Sequence, residues 1–302
     1  MKTYTASYIF PDDFLWGIVP DESFLTNKDS YSSIYGLKEK RVGSVLIDVP
    51  WDKCEPLKGS FDEPFLETVR TLLARIRGEN IEPFVILNTG KVPGWQNLEK
   101  NADADPGDVY NFSIHIADAL VPYTNFFGSY CPKGSLFSRN LLNEKLSVLS
   151  DIRGHIHSLS ESAKCGIVLS EVFREKSRLF MQLRYDFLKK IETDFFGIPA
   201  EGAMTGQLAE IFGEERRPVI FLSDGLKDSS TAERPEILTD KLYNAWRFYQ
   251  KGWPVIGYFS ETDPDSGSAE STLYEFFCKK NAFEISTDMN GLPEKWKLFL
   301  KD

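Results

Sequence analysis

The chain has 302 residues, 42% of them hydrophobic, and a formal net charge of −10 at pH 7. That is enough to bury a full core, as one large α/β domain or two smaller ones. The acidic balance argues against a nucleic-acid partner, because holding phosphates needs a basic surface, and no apolar run reaches the roughly 18 residues of a membrane span.

The opening MKTYTASYIF lacks the apolar core of a secretion signal, so a cytoplasmic location is expected. Cys54, Cys131, Cys165 and Cys278 are far apart, with no CxxC pair and no metal-type spacing to His115, His155 or His157. They are expected to be reduced thiols, and no metal or other cofactor is expected.

The first predicted strand is residues 14–19, FLWGIV, followed by a polar connection to about Lys40. Val45-Leu46-Ile47 is short, apolar and β-branched, which suits a strand buried on both faces. Turn residues at 56–59 lead to a helix starting near Asp62, with Phe65, Val69, Leu72, Leu73 and Ile76 on one face. Gly78 stands where a C-terminal cap is expected, and residues 83–87, PFVIL, form the next strand. Strand, crossover helix and strand make a parallel βαβ unit.

Residues 101–108 read as a loop, 109–121 as a helix and 126–131 as the fourth strand. Leu142, Leu146, Leu149, Ile152, Ile156 and Leu159 recur at helical spacing, predicting a long helix over 141–162. Strands follow at 165–169, 194–198, 218–222 and 254–259, with helices at 174–192, 207–212 and 235–251. The tail offers a strand at 283–286 and a last helix from Pro293. Eight strands alternating with helices point to a (β/α)8 TIM barrel, a single α/β domain over residues 1–302. An open doubly wound sheet would carry a Gly-rich phosphate turn after its first strand, where this chain has Pro20-Asp21-Glu22-Ser23.

Several of these stretches resemble glycoside hydrolase family 1, the β-glucosidases and 6-phospho-β-glycosidases. FPDDFLWGIV at 10–19 is similar to the family's opening segment, and Trp51-Asp52-Lys53-Cys54-Glu55-Pro56 with Gly59-Ser60-Phe61-Asp62 to its second-strand motif. Val92-Pro93-Gly94-Trp95 follows strand three as the family's Leu-Pro-x-Trp does. Residues 164–169 and 194–198 resemble strands five and six, PVIFLSDG at 218–225 has the frame of Pro-Ile-Tyr-Ile-Thr-Glu-Asn-Gly, and GWPVIGYF at 252–259 approaches strand eight. The resemblance implies a barrel with shortened loops and the site of a retaining β-glycosidase, which needs two carboxyls about 5–5.5 Å apart.

The site's residues depart from that pattern. The nucleophile's place falls on Ser223, and the acid/base place near Gly134-Ser135, where no Asn-Glu-Pro motif occurs. The sugar-gripping Gln falls on Phe24, the His-Trp pair on Thr89-Gly90, and the Trp after strand eight on Glu261. Two readings follow. One is a non-hydrolytic, pseudoenzyme-like relative that binds a small ligand or a partner. The other is a diverged β-glycosidase with relocated carboxylates such as Glu171 and Asp224.

Acids gather at predicted strand ends: Asp21, Glu22, Asp48, Glu171, Glu201, Asp224, Glu261 and Asp263. In an acidic protein such residues are ordinarily solvated loop acids. Their field disfavours a 6-phosphosugar and leaves a carbohydrate or another neutral or cationic ligand, a divalent metal, or no small ligand at all. Trp51, Trp95 and Glu261 are the candidate ligand contacts, with burial at the rim the competing role for the two indoles. Glu55 is expected to pair with a nearby Arg or Lys, and the histidines to serve as surface or packing residues.

Overall fold

The computed structural model describes residues 2–7, 14–20, 23–26, 34–37, 42–97, 104–130, 139–169, 189–190, 192–200, 216–223, 245, 248–249, 251–261, 282–287 and 300–301. The short apolar runs become strands: β1 (Lys2–Ser7), β2 (Leu15–Val19), β3 (Ser44–Pro50), β4 (Glu82–Asn88), β5 (Phe126–Tyr130) and β6 (Lys164–Val168). They continue with β7 (Phe195–Pro199), β8 (Val219–Ser223), β9 (Val255–Glu261), β10 (Ala282–Thr287) and β11 (Leu300–Lys301). Strands β2 to β9 close in sequence order into a parallel barrel, β9 pairing back onto β2.

The described helices include α1 (Ser23–Thr26), α2 (Trp51–Cys54), α3 (Glu63–Gly78), α4 (Pro106–Leu120) and α5 (Arg139–Leu159). Helix α3 is the expected crossover, capped by Asp62, whose carboxylate accepts from the Phe65 N–H at 2.9 Å. Its buried stripe is Leu66, Val69, Leu72, Leu73 and Ile76. Gly78 is not the cap residue: it is the last helical residue, and Asn80 takes the positive φ of 57°. Asn80 N–H bonds Arg77 O and Ile81 N–H bonds Ile76 O, the paired bonds of a Schellman ending, with buried Ile81 covering the turn. Asn tolerates the left-handed conformation well enough to replace Gly there.

Three further differences have physical causes. Strand β1 falls in a stretch read only for targeting signals; it lies between β10 and β11 in a separate antiparallel sheet that joins the two ends of the chain. Helix α2 occupies residues read as part of the turn after Trp51. Leu300–Lys301, inside the predicted last helix, is strand. The predicted helix at 207–212, most of those at 174–192 and 235–251, and residues 293–299 lie outside the described residues.

Alternation along each strand divides the core in two. Val45, Ile47, Val49, Phe127, Ile167, Phe196, Ile198, Phe221 and Tyr258 belong to the cluster that meets the helices. Leu46, Phe84, Ile86, Val168, Phe195, Ile220 and Phe259 fill the lumen. Phe84 stacks on Phe126 at 4.5 Å and meets Phe195 and Phe259 edge-on at 5.3 and 5.2 Å. Glycines make the room: a Cβ on Gly166 would overlap the Phe195 ring, and one on Gly17 the Phe259 ring.

At the N-terminal rim, side chains satisfy strand-end backbone. Thr124 Oγ1 donates to Pro83 O at 2.7 Å, Thr193 Oγ1 to Cys165 O at 3.1 Å, and Ser44 Oγ to Glu82 O at 2.7 Å. Asp194 accepts from Cys165 N–H at 2.7 Å and Arg153 Nη2 at 2.9 Å, and its Oδ2 lies 2.7 Å from His157 Nε2. Burial opposes its ionisation, but the Cys165 N–H, His157 and Arg153 together hold its carboxyl below the usual carboxylate value.

Gly166→Ala pushes a methyl into the Phe195 ring and should cost about 1–3 kcal/mol in urea denaturation. Gly154→Ala on α5, where nothing lies within 4 Å of the added methyl, should instead stabilise by about 0.5–1 kcal/mol. Asp194 has a lowered native pKa, so its contribution is fully present above its unfolded value of about 3.9 and is lost as pH falls through the native one. Asp194→Asn should therefore destabilise at pH 7 and flatten the acid limb of a Tm-against-pH curve.

Candidate functional site

In a closed parallel barrel the loops after the strands' C-terminal ends carry the site. The lumen beneath that end is sealed by Ile86, Val168, Ile220 and Phe259, all buried, with Val19, Tyr130 and Leu222 packed on them. At the mouth, on the lumen-facing alternation of β3 and β4, lie Asp48 and Asn88. Asn88 Nδ2 donates to Asp48 Oδ2 at 2.8 Å. Asn88 Oδ1 accepts from the Gly90 and Lys91 N–H groups at 3.1 and 3.2 Å, which fixes the amide's orientation and shapes the loop after β4. Asp52 N–H bonds Lys91 O at 3.0 Å, tying that loop to α2.

Beside the mouth, Trp51 at the start of α2 is fully buried. Its indole stacks on Phe112 of α4 at 5.2 Å and meets Trp95 edge-on at 5.9 Å, so neither face is open to a sugar ring. Glu55, 5% exposed, accepts from Trp51 Nε1 at 2.7 Å and Gly59 N–H at 2.6 Å, and its backbone carbonyl accepts from Trp95 Nε1 at 2.9 Å. Its hydrogen-bond partners are thus N–H donors of two loops, not the basic side chain expected. Trp95 is half-buried, with Lys58 Nζ 5.3 Å from its ring centroid. Lys58 in turn reaches Asp108 at 2.8 Å, and Gln96 Nε2 donates to the same carboxylate at 2.9 Å.

Ser223 ends β8. Lumen-facing Ile220 and Leu222 alternate with helix-facing Val219 and Phe221, so Ser223 falls on the helix-facing side, buried at 4% exposure. At the end of barrel strand four the lumen-facing residue is Tyr130. Phe24 is buried in α1, and Thr89 and Gly90 form the turn held by Asn88. Glu261 is the last residue of β9, paired with Val19. Asp21, Glu22, Ser135, Glu171, Glu201, Asp224 and Asp263 lie outside the described residues.

The histidines sit on helices: His115 stacks on Phe61 at 3.6 Å, and His155 Nε2 lies 2.8 Å from Asp118. Cys54 and Cys165 are buried; burial first, then nearby carboxylates, pushes the Cys165 thiol up to about 12 and Cys54 higher still. Among the described residues no helix is long and apolar enough to cross a membrane.

The sequence reading named Asp48 but not Asn88, Lys58, Gln96 or Asp108. A polar residue closing the apolar run PFVIL was the available signal for Asn88. The other three come together through chain reversals that no spacing rule reports.

This architecture is a closed (β/α)8 TIM barrel. No protein-family model matches the chain, and no curated protein does. Among solved structures, a β-glycosidase from Pyrococcus horikoshii matches with a TM-score of 0.67 at 14% identity, over 95% of this chain and 99% of its own. A β-glucosidase from Thermotoga maritima, solved in complex with deoxynojirimycin, matches with a TM-score of 0.66 at 13% identity, over 91% and 99% of the two chains. The β-glycosidase BGL167 gives 0.66 at 14% identity, over 92% and 99%. At such identity the likeness is one of fold.

Replacing Glu55 by Ala leaves the buried Trp51 N–H without its acceptor and releases the Gly59 turn. A loss of about 1–3 kcal/mol is expected from chemical denaturation, with a changed tryptophan emission spectrum in the folded state.

Proposed function

We propose that the chain is a degenerate relative of glycoside hydrolase family 1 that binds its ligand at the C-terminal end of the barrel without cleaving it. The shared fold supports the family, together with the motif frames FPDDFLWGIV, WDKCEP, VPGW and PVIFLSDG. One observation carries the loss of hydrolysis. At the end of β8, where a retaining enzyme of this family presents its nucleophilic carboxylate, the lumen receives Leu222 and the next residue is Ser223. A serine there cannot form the glycosyl ester through which retention proceeds. At the described part of the mouth the carboxylates are Asp48, already bonded to the Asn88 amide, and Glu261 at the end of β9.

The test is an assay of the purified protein on aryl β-glucosides, β-galactosides and their 6-phosphates. Release of the aryl alcohol should not exceed the buffer rate. Turnover well above it, abolished by Glu171→Gln or Asp224→Asn, would replace this reading with that of a glycosidase using relocated carboxylates.

A further inference from the structure

Helix α5 is fastened on both flanks of its buried stripe by a histidine that faces a carboxylate. We infer that these two contacts make the docking of α5 respond to pH, tighter where His155 and His157 are protonated and looser once both are neutral. The response is built into the wall of the barrel and is independent of what the mouth binds.

The buried residues of α5 include Leu146, Leu149, Ile152 and Ile156, and the helix packs on α4 and β6. Arg153 and His157, four positions apart, share one flank of that stripe, and His155 falls on the other. On the first flank His157 Nε2 lies 2.7 Å from Asp194 Oδ2, which also accepts the Cys165 N–H at 2.7 Å. Arg153 reaches Asp194 at 2.9 Å and Glu192 at 3.1 Å. On the other flank His155 Nε2 lies 2.8 Å from Asp118 Oδ1 of α4. The two histidines thus tie α5 to the segment entering β7 and to α4.

The charges around them are unbalanced without a proton. Arg153, Glu192 and Asp194 together carry one net negative charge, which protonation of His157 cancels. His155 has Asp118 across from it and Asp151 one turn earlier on its own helix. A neutral imidazole still donates from Nε2, but only the imidazolium adds the attraction of opposite charges. Asp194 is 12% exposed and Asp118 53%, so solvent screens the His155 contact more and the His157 contact carries the larger share.

The other titratable groups on the described neighbours leave this balance intact. Burial first, then Asp194, pushes the Cys165 thiol up to about 12, so it stays neutral. Glu161 and Lys164 are exposed on the turn into β6, and His115, one turn before Asp118 on α4, is stacked on Phe61. The Asp194 carboxyl is held below the usual carboxylate value and remains ionised throughout the imidazole range. The stabilisation is therefore present below the ordinary imidazole value of about 6.5 and is lost as the histidines give up their protons at higher pH.

Hydrogen exchange and thermal unfolding at about pH 5.5 and about pH 8, on either side of the imidazole range, test the inference. After correction for intrinsic exchange rates, α5 should lose protection at the higher pH relative to α3, which contains no histidine, and Tm should fall by about 1–4 °C. In the double variant His155→Gln with His157→Gln, which keeps side-chain donors of similar size, the loss of α5 protection should disappear. His157→Gln alone should remove most of it, Asp118→Asn the smaller share, and His115→Gln none. Persistence of the response in the double variant, its removal by His115→Gln, or α5 protection in the parent that does not change with pH would each overturn the inference. A check without variants comes from NMR of the parent: the α5 amide signals should move together with the titrating His155 and His157 rings. Titration of those rings that leaves the α5 amides in place would overturn it as well.

Discussion

The closure of the barrel depends on how its lumen is filled. Phe84 sits among Phe126, Phe195 and Phe259, with ring separations of 4.5 to 5.3 Å. Each buried ring contributes about 1.5–3 kcal/mol, and each aromatic pair a further 0.5–1.5 kcal/mol or so. That packing is possible only where the neighbouring strands present glycine, as Gly17 does to Phe259 and Gly166 to Phe195. Large residues on some strands and none on their neighbours set the strand register, since a slip of one residue would drive a side chain into a ring. The same filling closes the lumen to ligands, so anything the protein binds through this fold must sit above it.

In the described loops after β3 and β4, order comes mainly from buried hydrogen bonds, with the exposed Lys58–Asp108 ion pair beside them. Glu55 collects N–H groups from Trp51 and Gly59 on its carboxylate, and from Trp95 on its carbonyl. Asn88 does the same for the turn at Gly90 and Lys91 and for Asp48. Each bond stabilises by only about 1 kcal/mol net, but leaving any of these buried groups unpaired would cost more. The loops after β3 and β4 are therefore fixed relative to each other before any ligand arrives. A preorganised rim of this kind lowers the ordering cost of binding.

Much of this was legible in the sequence. Parallel strands buried on both faces read as short apolar runs, and the barrel strands and helix α3 emerge within a residue or two of their expected places, except that β3 runs three residues past Ile47. The cap at Asp62 is a local signal of the same kind. Strand β1 was not legible, because KTYTAS has no apolar run and becomes a strand only by pairing with residues some 280 positions away. The Lys58–Asp108 ion pair shares that cause: the two residues are 50 positions apart, and the pairing of β3 with β4 brings the loops that carry them together, to 2.8 Å. Burial of Trp51 was equally hidden, since an indole near a strand end reads the same whether it faces a ligand or Phe112.

The structure also accounts for how the barrel stands with Leu222 and Ser223 at the end of β8. The features that stabilise the barrel lie in the lumen and at the N-terminal rim: the phenylalanine cluster, the Thr124 and Thr193 hydroxyls on strand carbonyls, and Asp194 on Cys165 N–H. Of these, only the packing of Leu222 on the lumen cluster involves the C-terminal end of β8. An ionised pair at the mouth adds desolvation and repulsion that folding must overcome, so replacing a carboxylate by an apolar or hydroxyl side chain is, for stability alone, neutral or favourable. Rigid rim loops anchored by Glu55 and Asn88 do not depend on those carboxylates either. The stability of the barrel therefore places little demand on which residues stand at its mouth.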